Sequence, residues 1–235
     1  AKEGTSPSGS EKVNMENLPE IISAVKKEGK AIVAPKRMRV TYTLTVDTNA
    51  VPAGKIIRCW LPYPRQDQAR QQDVKFISAS EPQYTFSSPE CRHSTLYMEK
   101  RAVEGEPTVF SETFEFTANG EWHNLKPEDV QPYDTTTALY KEYTAEREKH
   151  IVFSPRLREL AAKLTAGETN PYLKAKRIFR WVNDNFPWAS AREYSTIENI
   201  PEYVLDNRHG DCGQVSLLFI TLCRISGIPA HFQSG

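Results

Sequence analysis

The 235-residue sequence is long enough for one large domain or two small ones, each with its own core. Its 30 basic and 30 acidic residues balance, which leaves no basic field for nucleic acid or anionic lipid; a neutral or peptide substrate fits better. No run of about 18 apolar residues is present to span a bilayer, and no charged-then-apolar leader opens the chain, so an export signal would already have been removed.

In chain order, residues 1–16 begin with AKEGTSPSGSEK, too polar to offset the entropy of ordering, and read as a flexible tether. Residues 17–36 predict a short amphipathic helix and a connector. Ile21, Ile22 and Val25 lie at helical spacing behind Pro19, and Gly29 stops the helix. From Met38 the period becomes two: Val40, Tyr42, Leu44 and Val46 alternate with Arg39, Thr41, Thr43 and Thr45. Further strands are expected at 55–61, 74–79, 94–100 and 109–117, with Phe110, Phe114 and Phe116 as core residues. Residues 37–125 therefore read as an antiparallel β-sandwich-like domain. Residues 126–153, with Pro127, Pro132 and three consecutive threonines, read as a linking segment with little regular structure.

Residues 154–235 are helical in character. Ser154-Pro155 and Asn170-Pro171 each place an N-cap before a proline at the first helical position. Leu157, Leu160 and Leu164 line the first helix, and Leu173, Ile178, Trp181 and Val182 line the second. One more short helix is expected at Ile200–Leu205. The fold class is thus α+β.

Four cysteines, Cys59, Cys91, Cys212 and Cys223, are too few for a disulfide scaffold. Cys59 and Cys91 fall in the strand-rich stretch, where they either pair, if the protein is exported, or are small buried residues. Nothing in the residue pattern calls for a metal or an organic cofactor, and oligomeric state is left open.

The chemistry concentrates in Asp206-Asn-Arg-His-Gly-Asp-Cys-Gly-Gln, followed by an apolar stretch with Val215, Leu217, Leu218, Phe219, Ile220 and Leu222. A glycine turn before Asp-Cys and a helix apolar on nearly every side puts Cys212 at the N-terminus of a buried helix. There the macrodipole favours a thiolate, and the packed helix holds it rigidly for attack. Asp211 opposes that thiolate unless it is spent as the helix cap, so a general base is still required. Cys223, eleven residues on, lies roughly 16 Å along the helix and reads as core.

Gly210-Asp-Cys-Gly, the apolar helix, Leu222-Cys-Arg and Gly227-Ile-Pro-Ala resemble the nucleophile block of the transglutaminase-like superfamily, whose catalytic core is papain-like. Ile178-Phe-Arg-Trp-Val-Asn-Asp-Asn-Phe-Pro-Trp and Trp60-Leu-Pro-Tyr-Pro are similar to upstream segments of bacterial members. The resemblance implies a Cys-His-Asp triad, an acyl-enzyme formed on a peptide or protein amide, and an oxyanion hole completed by an indole. By position Trp188 is that donor, against the alternative of a core aromatic. In the family the His and Asp follow Gly-Ile-Pro-Ala-Arg by tens of residues, whereas this sequence ends at Gly235 and has His231 in place of the arginine. The expectation is therefore the helical half of the core, with the nucleophile but without its base, inactive by itself. His93, His123, His150 and His209 read as surface or locally bonded, and His231 as the start of a strand, not as the base. The competing reading is a non-catalytic scaffold whose β domain binds a protein or glycan. By analogy the protein is exported, to the periplasm or cell surface.

Overall fold

The computed structural model describes residues 8–91, 93–190 and 192–232, and the chain divides into two compact units, Ala1–Asn124 and Leu125–Gly235. The architecture is α+β.

In the first unit, helix α1 (Ser8–Glu28) ends where Gly29 takes a left-handed φ of 66° and donates its N–H to the Val25 carbonyl. The helix therefore includes residues 8–16, which the sequence assigned to the tether, and runs through Pro19. Residues 1–7 of that tether lie outside the described residues. Ile21 of α1 rests on Gly120, where a Cβ would meet its side chain at 2.7 Å.

Among the described residues, six strands form two three-stranded antiparallel sheets. One has the order β1-β6-β3, with β1 (Ile32–Val46), β6 (Thr108–Glu121) and β3 (Gln71–Ala79); the other is β2-β5-β4, with β2 (Ile56–Pro62), β5 (Thr95–Arg101) and β4 (Tyr84–Phe86). Cys59 and Leu61 of β2, Leu96 and Met98 of β5 and Phe110 of β6 form one apolar cluster, with Phe76 of β3 against it. Cys59 is buried, Cys91 is exposed, and both are free thiols, so the pairing does not occur and Cys91 is not a core residue.

The alternation in β1 is present, but as an edge strand it leaves Tyr42 and Leu44 exposed and only Val40 and Val46 half-buried. Phe116, expected in the core, is half-buried: it continues the row of Thr108, Phe110, Glu112 and Phe114, but only those four are buried. A carboxylate thus occupies a core position that the sequence reading did not single out.

The second unit contains α2 (Ala138–Thr144), α3 (Pro155–Leu164), α4 (Pro171–Asn185), α5 (Ile200–Asn207) and α6 (Cys212–Ile225). The cap residues act as read. Ser154 accepts from the Leu157 N–H, and Asn170 accepts from the N–H groups of Tyr172 and Leu173. Leu157, Ile178, Ile200, Val204, Leu218 and Leu222 belong to one core in which α6 is central. No helix among the described residues is long and apolar enough to cross a membrane.

Residues 126–153 are a structured part of this unit, not a loose link. Thr137, last of the three threonines, caps α2, Tyr140 donates to the Gly227 carbonyl, and Ile151 is buried. The buried Arg224 of α6 reaches across to the carbonyls of Ala145 at 2.7 Å and Ala230 at 2.8 Å. The buried guanidinium finds its acceptors in these carbonyls, which ties this segment to α6.

Candidate active site

α5 ends at Arg208, which adopts the left-handed conformation (φ 59°) and returns its N–H to the Val204 carbonyl. From there only His209 and Gly210 lead to the next helix cap. Gly210 pairs in a short parallel bridge with Trp188, and its carbonyl accepts the Ala189 N–H at 3.0 Å. A Cβ at Gly210 would lie 3.1 Å from Gln214 and 3.3 Å from Val204, so a larger residue would press on both by a few tenths of an ångström.

Asp211 is extended and caps α6. Its carboxylate accepts the Gln214 N–H at 2.7 Å, and its own N–H donates to Gln214 Oε1 at 3.3 Å, a reciprocal capping box. Cys212 is the first residue of the helix and is exposed; among the described residues its sulfur has no hydrogen-bond partner. It stands at the first turn, where backbone N–H groups lack intrahelical acceptors and the positive end of the macrodipole lies. Behind it Gln214, Leu218 and Leu222 are fully buried. An accessible thiol is therefore fixed on an immobile helix end.

Two residues of this site were not singled out in the sequence. Gln214 completes the capping box and sends its amide N–H to the Arg192 carbonyl at 3.2 Å. Tyr194, in a short 3-10 turn (Tyr194–Thr196), donates its hydroxyl to Asp211 Oδ1. Burial first, and then the hydrogen bond to Asp211, push the Tyr194 phenol well above its ordinary value, so it stays a donor. Gln214 had a signal, the Asp-x-x-Gln spacing of a capping box. Tyr194 had none, because it lies 17 residues from its partner in a polar stretch.

Trp188 is not a core aromatic: it is 69% exposed, and its backbone lies beside Gly210 in the turn before Cys212. Among the described residues its indole N–H has no acceptor. His209 differs from the reading of a surface or locally bonded side chain, since its Nδ1 is shut off from solvent without a partner among the described residues. His231 is exposed, lies 5.1 Å from the Tyr143 ring and contacts the Phe232 carbonyl through Nδ1; no strand begins there. His123 pairs with Glu121 in the first unit, and His93 and His150 are exposed. Cys223 is buried, and burial pushes its thiol up to about 12, as suits a core residue. Among the described residues, no group of three or more His, Cys, Asp and Glu side chains is placed to hold a metal ion.

Comparison with known families covers the Cys212 turn. The family model described as "Transglutaminase-like superfamily" matches residues 158–235, spanning α3 through α6 with Cys212 inside it. Over residues 158–235 the chain is thus similar to the transglutaminase-like superfamily. The fold is similar to that of a "putative cysteine protease" from Cytophaga hutchinsonii, with TM-score 0.61, 18% identity, and coverage of 84% of this chain and 66% of that one. A "putative protease" from Parabacteroides distasonis ATCC 8503 matches with TM-score 0.29, 12% identity, and coverage of 83% and 56%. The chain thus spans less than two thirds of the length of either solved structure. No curated protein matches it. The matched segment thus includes the exposed Cys212 thiol at the start of α6.

Proposed function

We propose that this chain supplies the nucleophile-bearing part of a cysteine enzyme that acts on peptide-like amides. The observation that carries the reading is the exposed Cys212 thiol on the first residue of a central buried helix. As thiolate, Cys212 adds to the carbonyl carbon, and the developing oxyanion accepts from a first-turn amide and from the Trp188 indole. Collapse of the tetrahedral adduct breaks the C–N bond. The departing amine takes a proton from a histidine, and a thioester acyl-enzyme remains for water or another amine to resolve. The exposed Trp188 side chain, carried on backbone that bridges Gly210, supports the role given to it. The histidine and its carboxylate partner are proposed to lie beyond residue 235, so residues 1–235 alone turn over no amide. Export to the periplasm or cell surface is proposed with this reading.

Iodoacetamide labelling read by mass spectrometry tests it. Cys91 is the built-in control, because it is equally a free and exposed thiol. Cys212 is expected to react about tenfold faster than Cys91, with Cys59 and Cys223 slower than both. Equal rates at Cys212 and Cys91 would overturn the assignment. Amide hydrolysis by residues 1–235 that disappears in Cys212→Ala would instead show that the base lies within this chain.

The second reading, a scaffold whose β unit binds a glycan or protein, is favoured by one observation. Trp60, 59% exposed, stands 5.0 Å from the Tyr97 ring on the solvent face of β2-β5-β4, the kind of aromatic shelf on which a sugar ring stacks. Retention on immobilised polysaccharide that is lost in Trp60→Ala, together with slow Cys212 labelling, would favour it.

A further inference from the structure

We propose that Tyr194 is a positioning residue for the nucleophile: its hydroxyl engages Asp211, so that the carboxylate serves as the cap of α6 and is held off the Cys212 thiolate. This rests on the assignment of Cys212 above and deepens it. An aspartate directly before a nucleophilic cysteine is a liability, since like charges disfavour one another's ionised forms. The geometry offsets it. Oδ1 of Asp211 accepts two donors at once, the Tyr194 hydroxyl and the Gln214 N–H. Gln214, fully buried, fixes the turn from the other side through the Asp211 N–H and the Arg192 carbonyl. Residues 192–196 are thereby joined to the nucleophile turn at two points. The fit is close: a Cβ on Gly213 would lie 2.3 Å from the Tyr194 hydroxyl oxygen, so only glycine admits the phenol against the first turn. Because Tyr194 keeps its proton, the hydroxyl still donates at the pH where a thiolate reacts.

Tyr194→Phe keeps the ring and removes the donor. With iodoacetamide, a neutral reagent, labelling of Cys212 at pH 7 is expected to slow by about three- to tenfold, and its pH–rate profile to move alkaline by up to about one unit. A purely structural tyrosine would not move the profile. Adding Asp211→Asn to Tyr194→Phe should bring the rate back, since an asparagine still caps the helix but carries no charge. Continued protection of Cys223 reports that α6 remains folded. Should Tyr194→Phe expose Cys223, Gly213→Ala takes its place: it dislodges the hydroxyl by contact and should produce the same alkaline displacement. An unmoved profile in a folded variant overturns the role of Tyr194 while fast labelling leaves the nucleophile standing. Cys212 reacting no faster than Cys91 in the unaltered protein overturns both.

Discussion

Glu112 makes the stability of the β unit depend on pH in an unusual direction. It sits on the central strand β6 between the inward-facing Phe110 and Phe114, is 1% exposed, and neither carboxylate oxygen has a hydrogen-bond partner among the described residues. Burial raises its pKa from 4.5 to about 7. The same setting raises the neighbouring Cys59 thiol and Tyr63 phenol, through burial first and the Glu112 charge second. With the folded value above the unfolded one, the folded state holds its proton longer. The contribution of Glu112 to stability is most favourable below pH 4.5, falls as pH rises from there to about 7, and then levels. At about 1.4 kcal/mol per unit, the displacement corresponds to a loss of about 3 kcal/mol, of the order of a hundredfold or more in the opening equilibrium. Hydrogen exchange at the β6 amides, corrected for intrinsic rate, reads that equilibrium locally and is unaffected by unfolding elsewhere. Protection should fall by somewhat less, about 50- to 100-fold, between pH 5 and 8 in the unaltered protein and stay nearly level in Glu112→Gln. Level protection in both, or equal slopes in both, would refute the reasoning.

Two further substitutions separate close packing from propensity and from charge. Gly213→Ala should destabilise the second unit by about 1–3 kcal/mol in urea unfolding, although helix propensity alone favours alanine by about 1 kcal/mol. In a Tyr194→Phe background most of that cost should vanish, because the nearest remaining tyrosine atom, Cζ, is 3.4 Å away. Equal costs in the two backgrounds would exclude the contact as the cause. Arg224→Leu removes the donor to the Ala145 and Ala230 carbonyls and should lower unfolding free energy by about 2–4 kcal/mol, with Arg224→Lys recovering only part, because an ammonium cannot fork. An unchanged urea midpoint for Arg224→Leu would show that α2 and the chain after α6 need no such tie.

What the sequence revealed and what it hid divide along the range of the interactions involved. Ser154, Asn170 and Asp211 were legible because a cap acts on an N–H two or three residues away. The strands were legible because alternation is local, and that pattern already pointed Glu112 inward between two phenylalanines. Its burial was thus implied, and only the expectation that acids face solvent hid it. Residues 126–153 were misread because their order comes from outside them. Pro127 accepts from Asn170, and the segment around Ala145 is held by Arg224, 79 residues further on. A window over prolines and threonines contains neither donor.

The Cys212 turn combines both cases, which bears on how its proposed chemistry is set. Everything that places Cys212 is local: a left-handed Arg208, the close-packed Gly210, the Asp211 cap and the helix after it. What tempers Asp211 is not. An aspartate is chosen at that position because it caps a helix well, and the same charge stands next to the thiol that must ionise. Sequence reasoning finds the conflict but can resolve it only by invoking a strong base. The fold supplies another answer in a hydroxyl 17 residues upstream, admitted by Gly213 and kept protonated by its own burial. If the Tyr194→Phe profile moves as expected, the glycine after the cysteine acquires a chemical reason. It is there to let a phenol reach the carboxylate, and any side chain in its place would restore the conflict.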